Sequence, residues 1–587
     1  MSAIMTQTEL FGHPKGLFVC FTTELWERFS FYGMKYLLLL YLTKYHLFTD
    51  AASYDVLGAY AGLVYALPLI GGLLADRYLG MRKAVVFGAI LLSLGHATMA
   101  FEGSQATLYA AGSVLQETLT LDSGEKILAG TILAEEVIIQ DKIALNIFFF
   151  ALALITLGVG FLKPNISAIV GRLYELEDTR RDAGYTIYYM GINIGSFAAV
   201  LLCGWLGETF GWNYGFGTAG IGMLFGLFSF LYGQRYLYNH ADPSEPKKLK
   251  EAFLGPINTE WSIYLISILS LSIVWWLVQH EPIVHITQNS MLIVAIVALI
   301  LYSMSYHQES VLHDKAALTL ATFSVVTGLV WAITGKDIGL GLMLLSLFAF
   351  IGYGFKTNKS PEYSRTVVLM FLILSSVVFW ALFEQSAGSM TLYADRVLDR
   401  DVNGQEIRAS MFGSLNAGFI MILAIPLAVF WTWLGRKNME PSTPVKFGLG
   451  IIQAGLGFGA LVIGAHYTND AGKVAAIWMV LAYLLHTTGE LCISPVGLSA
   501  VSKLSIHKVV GVSMGTWFLA TALSETISTR IGKMASIDTS GVEQATTEAM
   551  LATYTNLYST LMWIGICVGL FVILLSPWLK KEMKGIH

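Results

Sequence analysis

The chain has 587 residues, of which 55% are hydrophobic and 13% are charged, and its formal net charge is −4. Soluble globular domains carry about 25% charged residues, so the composition excludes an ordinary soluble protein. Uncharged blocks such as 144–162 and 449–465 are long enough to cross a hydrocarbon core of about 30 Å as helices. The sequence therefore predicts an all-α integral membrane protein. The first apolar block carries charges and precedes no small-residue cleavage pattern, so no signal peptide is expected.

The apolar blocks form two groups of six predicted helices. The first group is predicted at 17–46, 55–76, 82–101, 143–169, 183–205 and 212–238. The second is predicted at 365–397, 410–434, 444–466, 473–498, 508–530 and 556–579. Two groups of six are typical of a duplicated transporter architecture. Between them lie four apolar stretches, at 260–279, 290–306, 316–334 and 338–355. Two or four of these must span the membrane if both groups keep one orientation, and four are expected because each approaches spanning length.

This pattern predicts three regions. Residues 1–240 form an amino-terminal six-helix half, with a long external loop at about 102–142 in which we expect some helical content. Residues 241–362 form a linker region with the additional helices, and residues 363–587 form the carboxyl-terminal half. Basic connectors mark the cytoplasmic side of a membrane protein. They alternate with acidic or mixed connectors along the chain, which predicts a multi-pass protein of the cell (inner) membrane with both termini in the cytoplasm. The basic connectors contain Arg77, Arg82, Lys83, Arg172, Arg180, Arg181, Lys247, Lys248, Lys250, Arg436, Lys437, Lys503, Lys508, Lys580, Lys581 and Lys584.

The first predicted helix carries four ionisable residues, Glu24, Glu27, Arg28 and Lys35. At about 100° per residue they fall within an arc of about 100° and form one polar stripe. Exposing one such charge to lipid would cost about 2.5–3.5 kcal/mol, so the stripe must face protein or a water-filled cavity. An internal ion-pair network would explain it in purely structural terms.

Further ionisable groups within other apolar blocks favour a functional interpretation instead. Lys163, Glu384 and Glu490 each lie inside a predicted span. Acids and bases collected at membrane depth are what an alternating-access site for a zwitterionic solute needs. A carboxylate that can release its basic partner and take a proton also supplies coupling to a proton gradient.

Several motifs resemble those of one family. The segment E-L-W-E-R-F-x-x-Y-G-M at 24–34 is similar to the ExxERF signature of the proton-dependent oligopeptide transporter (POT) family, within the major facilitator superfamily. Y-Y-M-G-I-N-I-G at 188–195 resembles its fifth-span motif. Other matching segments are G-G-L-L-A-D-R-Y-L-G at 71–80, G-F-L-K-P-N at 160–165, F-W-A-L-F-E-Q at 379–385 and G-E-L-C-I-S-P-V-G-L-S at 489–499. The resemblance implies a major facilitator fold and import of dipeptides and tripeptides with protons.

The resemblance also implies residue roles. Glu24, Glu27 and Arg28 would form a proton-responsive network with Lys163, and Glu384 would be a second protonation site. Lys35, where the family often has arginine, and Lys163 would bind the peptide carboxylate, and Glu490 would bind its ammonium group. Phe31 stands where many relatives have tyrosine. The other residues implied in substrate binding are Asn193, Asn416, Tyr32, Tyr65, Ser494 and Trp517.

Alternative functions remain open at this point. A family member could carry another solute, such as an amino acid, nitrate or a peptide-like drug, or could be a sensor that no longer transports. A membrane enzyme is disfavoured because the sequence offers no nucleophile or metal constellation. Direct ATP drive is not expected, because the sequence has no P-loop motif GxxxxGK[ST]. We expect no cofactor beyond the proton gradient. The expected partners are di- and tripeptides, protons and membrane lipids, with no nucleic acid, and the expected state is a monomer.

Overall fold

The computed structural model describes residues 8–121, 126–175, 178, 180–243, 245–306, 314–358, 360–402, 404–537 and 545–586. Within these residues it is predominantly helical, with sixteen helices of spanning length and a short seventeenth. Thirteen are long and apolar enough to cross a membrane by length and composition. The first six are α1 (Lys15–Lys44), α2 (Asp50–Leu74), α3 (Met81–Met99), α4 (Lys142–Arg172), α5 (Arg181–Phe210) and α6 (Trp212–Gly233).

Four helices follow before the second group, as expected from the apolar stretches. They are α7 (Thr259–Val278), α8 (Glu281–Ser305), α9 (Lys315–Thr334) and α10 (Asp337–Thr357). The second group is α11 (Pro361–Phe383), α12 (Ser389–Arg396), α13 (Ser414–Arg436), α14 (Thr443–Gly464), α15 (Ala476–Leu504), α16 (Val510–Met534) and α17 (Thr547–Glu582). Short connections join most neighbours, so consecutive helices run in opposite directions.

The predicted and observed helices differ most at three places. α8 begins at Glu281, nine residues before its prediction, because its first turns carry polar residues. α17 likewise begins at Thr547 rather than 556. The seventh predicted span is interrupted: α11 ends at Phe383, a 3₁₀ turn covers Glu384–Ser386, and α12 continues from Ser389.

The expected helical content of the 102–142 loop is wrong for its described residues, which form strands. Strand Thr107–Tyr109 pairs with Val137–Ile139, and Leu119–Thr120 pairs with Lys126–Ile127, both antiparallel. Gly112 and Gly130, with φ of +79° and +85°, provide bends that other residues adopt at a cost. We call 102–141 the hairpin segment. Tyr45 donates from its hydroxyl to the Gly103 carbonyl (2.8 Å), so the segment lies over the carboxyl end of α1, and we call that end of the bundle the hairpin end.

The remaining strands are short and lie in connections. They form three antiparallel pairs and one parallel pair, and Leu398 and Val474 of the parallel pair are buried in the hydrophobic core. The antiparallel pairs are Glu9–Leu10 with His13–Pro14, Ala252–Leu254 with Ile257–Asn258, and Asp401–Val402 with Gln405–Glu406, and the parallel pair is Leu398–Asp399 with Val474–Ala475.

The helices pack as two bundles joined along two seams. Within the first bundle α3 packs on α4 and α1 on α5 and α6, and within the second α14 packs on α15 and α17. The seams are formed by α2 with α16 and by α5 with α13. The inserted helix α8 packs against both α2 and α16, so the insertion contacts both bundles.

The three helices of that junction converge at Gly58 of α2. A β-carbon there would lie 3.0 Å from the Thr529 hydroxyl oxygen of α16 and 3.4 Å from Cε1 of His285 of α8. His285 is buried and contacts Glu281 through Nδ1 (2.6 Å). The absence of a side chain at Gly58 therefore allows α2, α8 and α16 to approach closely.

Candidate functional site

The charged stripe of α1 faces the interior of the protein. Glu24, Glu27, Arg28 and Lys35 are each at most 5% exposed. The opposite face packs on neighbouring helices. There Gly33 lies so close to the Cys203 sulfur that a β-carbon would be 2.7 Å from it. The stripe therefore avoids lipid, as predicted from the cost of exposing it.

Glycines on α5 bring this helix close to the stripe. A β-carbon at Gly195 would overlap the carbonyl oxygen of Leu25, and one at Gly191 would lie 2.8 Å from the Phe21 ring. Backbone contact of this kind requires small residues at the crossing. Both glycines belong to the segment 188–195, so this motif has a packing function as well as supplying Asn193 to the site.

The first charged cluster is made within α1. Arg28 binds both oxygens of Glu27, with Nη2 to Oε1 at 2.6 Å, and its Nε lies 3.4 Å from Glu24 Oε1. The other oxygen of Glu24 is buried and has no hydrogen-bond partner among the described residues. Two carboxylates thus share one guanidinium, and Glu24 is the less fully paired of the two.

Lys163 of α4 does not pair directly with these carboxylates. Its ammonium lies 4.9 Å from the centre of the Tyr65 ring, and in the described part of the chain it has no carboxylate within ion-pair distance. Arg28, which lies on α1 with Glu24 and Glu27, already binds both of these carboxylates. The expected ammonium–carboxylate contact is therefore absent from this conformation, and Lys163 is held by a cation–π contact.

The second cluster joins the two bundles through Lys35. Its ammonium donates to Glu384 (2.8 Å) and to Glu525 of α16 (3.2 Å). All three side chains are at most 10% exposed. Glu384 reaches Lys35 because α11 ends at Phe383 and the 3₁₀ turn begins there.

Glu525 was missed in the sequence analysis. It lies eight residues before Lys533 and five before Arg530, so its region looks like the charged end of a helix. One signal was available: it is the only acidic residue between 510 and 534.

The third cluster lies in the second bundle. The Asn416 amide donates to Glu490 Oε2 (2.8 Å) and to the Thr487 hydroxyl (3.1 Å). Glu490 is 8% exposed, and no cation lies within ion-pair distance of it among the described residues. An anionic oxygen held by an amide and open to a cavity can receive an ammonium group.

The second and third clusters meet at a cavity of about 140 Å³ between the bundles. It brings together seven residues named from the sequence: Tyr32, Lys35, Tyr65, Asn193, Glu384, Asn416 and Glu490. The cavity is also lined by residues that were not predicted from the sequence, including Tyr36, Tyr189, Ser196 and Trp380. Six candidates do not line it: Glu24, Glu27, Arg28, Lys163, Ser494 and Trp517. Trp517 packs on Gly497 of α15 instead.

The cavity is closed at the hairpin end by contacts between the bundles. Arg396 of α12 binds Asp50 of α2 through two hydrogen bonds, and Lys44 of α1 lies 2.5 Å from Asp395. The Glu208 carboxylate accepts from the backbone N–H and the hydroxyl of Ser410 (2.9 and 2.6 Å). Solute in the cavity therefore has no direct path to that end.

Two six-helix bundles around a charged central cavity define a multi-pass membrane transporter of the major facilitator fold. The chain belongs to the POT family, whose model matches residues 82–547. This bears out the resemblance seen in the motifs.

Named relatives are similar in sequence to this protein over nearly the whole chain. A peptide transporter, YePEPT, of Yersinia enterocolitica is 33% identical over 89% of this chain and 88% of its own. An uncharacterized transporter, YclF, of Bacillus subtilis is 32% identical over 99% and 97%. A di-/tripeptide transporter of Lactococcus lactis subsp. cremoris is 29% identical over 99% of both chains.

Solved structures show the same architecture. The crystal structure of a peptide transporter POT in complex with sulfate superposes with a TM-score of 0.68 at 29% identity, covering 99% of this chain and 98% of that one. A POT family transporter in complex with 5-aminolevulinic acid gives 0.67 at 25% identity, covering 98% of both.

Proposed function

We propose that this protein imports dipeptides and tripeptides together with protons by alternating access. Relatives described as peptide or di-/tripeptide transporters support the substrate class. The main structural support is the distribution of charge in one cavity: Lys35 and Glu384 line it together with Glu490, which has no cationic partner among the described residues.

A short peptide fits this arrangement chemically. The carboxylate of the peptide is attracted to Lys35, and its ammonium group is attracted to Glu490. The Asn416 amide donates to Glu490 and holds the Glu490 side chain in place. Asn193 and the tyrosines of the cavity provide hydrogen-bond partners for the peptide backbone. The volume of about 140 Å³ is below the roughly 300–1,000 Å³ usual for small-molecule sites, so the bundles must separate further to admit a peptide.

Proton coupling is supported by the paired carboxylates. Glu24 shares Arg28 with Glu27, and Glu384 binds Lys35 directly. Protonating either acid removes its own attraction to the base and leaves that base with one carboxylate partner, Glu27 for Arg28 and Glu525 for Lys35, so the base binds another anion more readily. Lys163 would join the network by leaving Tyr65 when the bundles rearrange.

The orientation follows from the basic connectors. The hairpin end would face the outside of the cell and both termini the cytoplasm, in the cell (inner) membrane. In that orientation the outer side is closed. We further propose that the protein is a monomer surrounded by lipid. The proton gradient drives transport, and no cofactor is bound.

Uptake into proteoliposomes tests the function. Purified protein is reconstituted and given an inward proton gradient with a labelled dipeptide, tripeptide, tetrapeptide, single amino acid and nitrate in turn. We expect accumulation of dipeptide and tripeptide that a protonophore abolishes. The control is the same assay with protein-free liposomes. Accumulation of the amino acid or nitrate alone would overturn the substrate class, and peptide binding without uptake would indicate a sensor.

A further inference from the structure

The seam between α2 and α16 is tight toward the hairpin end and open toward the other end. A β-carbon at Gly62 of α2 would lie 2.7 Å from the side-chain nitrogen of Gln288 on α8. Further along, a β-carbon at Gly515 of α16 would approach only the Leu69 side chain, at 3.8 Å, and one at Gly511 would meet nothing within 4 Å. The three helices therefore diverge and leave a groove at the end remote from the hairpin segment.

The groove has a volume of about 580 Å³, and no charged residue of the described chain lines it. Its larger side chains are Leu69, Leu73, Met291, Val294, Val512 and Leu519. The Ser290 hydroxyl lies at the groove but donates to the Ile286 carbonyl (2.6 Å). The Thr516 hydroxyl likewise donates within its own helix, to the Val512 carbonyl (2.9 Å). Such a surface does not replace the hydration of a polar solute, so the groove is not a second peptide site.

The groove opens toward the hydrocarbon of the membrane. α2 and α8 are among the helices that are long and apolar enough to span a bilayer, and Val294 lies near the middle of α8. Leu73, Val294 and Val512, one from each wall of the groove, are exposed. Apolar side chains that are exposed at this depth contact lipid chains rather than water. An acyl chain is therefore the occupant that this groove fits.

Two cations flank the open end of the groove. Arg77 follows the lining residue Leu73 by four residues, which is about one helical turn. Lys508 precedes the lining residue Val512 by the same interval. Both cations are exposed, and neither forms an ion pair within the part of the chain that the structure describes. Asp76, beside Arg77, is paired with a residue of α4 instead. Basic residues at a membrane surface attract anionic lipid headgroups, so this end of the groove fits a phosphate group.

We propose that this groove binds one anionic phospholipid, with an acyl chain between α2, α8 and α16 and the headgroup phosphate between Arg77 and Lys508. Arg77 follows the end of α2 in the first bundle, and Lys508 precedes α16 in the second, so the lipid bridges the bundles where they lie apart. Bringing these ends together would narrow the groove and displace the chain. The bound lipid therefore stabilises the conformation that is closed at the hairpin end. This site lies outside the peptide cavity and does not depend on the proposed function.

Photolabelling in proteoliposomes tests the site. The probe is phosphatidylglycerol with a diazirine in one acyl chain, diluted into phosphatidylcholine, and the labelled residues are mapped by mass spectrometry. Labels should concentrate on groove residues such as Met291 and Val512. Gly511→Leu places a side chain where a β-carbon meets nothing within 4 Å, so it fills the groove and most of this labelling should be lost. Gly341→Leu on α10, where a β-carbon also meets nothing within 4 Å, is the matched control and should retain the labelling.

The headgroup is tested with phosphatidylcholine that carries the same diazirine chain. This probe has no net charge, so it should label the groove several-fold less than phosphatidylglycerol does. Lys508→Gln removes one of the two cations and should abolish most of the difference between the two probes.

Unchanged labelling in Gly511→Leu, or equal labelling of the wild-type groove by the two probes, would overturn the inference and indicate ordinary surrounding lipid. If light scattering in detergent shows a dimer that Gly511→Leu converts to a monomer, a second copy occupies the groove and the inference is also wrong. Should Gly511→Leu aggregate, Val294→Trp fills the groove from α8 and is judged by the same labelling. Labelling requires no transport, so its result is independent of the uptake experiment.

Discussion

Asp50 at the start of α2 and Arg396 at the end of α12 form a buried bidentate ion pair between the two bundles. The Nη1–Oδ2 and Nη2–Oδ1 distances are 2.7 and 2.6 Å, and the two side chains are 0% and 9% exposed. The Ile537 backbone N–H also donates to Asp50 (2.9 Å). Removing one partner of such a pair costs about 3–5 kcal/mol, so this contact is a major part of the closure at the hairpin end.

Asp50→Asn should open the hairpin end of the transporter, which is the outer side in the proposed orientation. Loss of the pair raises the free energy of the closed state, so the cavity becomes accessible from outside more often. In a protein whose four natural cysteines are replaced, Ser386→Cys reports on the cavity. An impermeant thiol reagent added outside should label it at least roughly tenfold faster in the Asp50→Asn background.

Lys44→Gln is the control for that experiment. It removes the neighbouring Lys44–Asp395 pair, in which the lysine is 42% exposed. Exposed pairs contribute about 0–1 kcal/mol, so labelling should change little. Equal acceleration by the two substitutions would show that burial of the Asp50 pair is not what closes this end.

Glu490→Gln should discriminate between peptides by their amino terminus. The substitution keeps the shape of the side chain and its contact with Asn416 but removes the charge that would attract an ammonium. A charge-assisted hydrogen bond contributes about 1.5–3 kcal/mol, so KM for free dipeptides should rise roughly ten- to hundredfold. An amino-acetylated dipeptide is the comparison, and an equal rise for it would contradict the assignment.

Glu24→Gln and Lys163→Ala should uncouple transport from protons. Either change removes a member of the proposed proton-responsive network without altering the lining of the cavity. Gradient-driven accumulation of a labelled dipeptide should be lost, whereas counterflow exchange should persist. Normal accumulation by either variant would reject its coupling role. If counterflow is lost as well, thermal unfolding in detergent distinguishes a folding defect from a loss of peptide binding.

Gly195→Ala should damage the site through packing alone. Its methyl group would overlap the Leu25 carbonyl and force α5 away from the charged face of α1. We expect a lower thermal unfolding temperature in detergent and little transport. Gly352→Ala on α10 is the matched control because nothing lies within 4 Å of a β-carbon there. A Gly195→Ala protein as stable as the control would contradict the close-packing argument.

Asp141→Ala should destabilise the start of α4 in a pH-dependent way. The Asp141 carboxylate accepts from the backbone N–H groups of Ala144, Ser104 and Ile143, which lowers its pKa below the ordinary value. A lowered pKa means that the stabilisation is present above the ordinary value of about 3.9 and is lost as pH falls through the folded pKa. Loss of the cap should cost about 1 kcal/mol at pH 7.

Thermal unfolding in detergent at pH 7 and at acidic pH checks this prediction. The difference between the wild-type protein and Asp141→Ala should shrink as the pH falls below the ordinary value. Asp141→Asn keeps a side-chain oxygen that can accept from the same N–H groups, so its loss at pH 7 should be smaller. A pH-independent difference would show that the charge of Asp141 plays no part.

Most of the helical architecture could be predicted because lipid imposes a length and a composition on each span. The predicted bounds were wrong where helices carry polar residues at protein contacts, as at the first turns of α8. The prediction was also wrong in the hairpin segment, where alternation between short strands gives little signal. The break between α11 and α12 was hidden by continuous hydrophobicity up to Glu384.

The site was predicted in part because intramembrane charges are conspicuous against an apolar background. Seven named residues do line one cavity. Pairing could not be predicted, because it depends on which helices are neighbours: Lys35 binds Glu384 and Glu525, while Lys163 rests on Tyr65. Sequence spacing along a single helix contains no information on such contacts.

The convergence of α2, α8 and α16 at Gly58 has a mechanical consequence. If the bundles rock against each other, α8 cannot move as a rigid body with one bundle alone, because it packs against both. Each cycle must slide side chains such as His285 across this junction. Contacts of α8 with both α2 and α16 would therefore break and form again in each transport cycle.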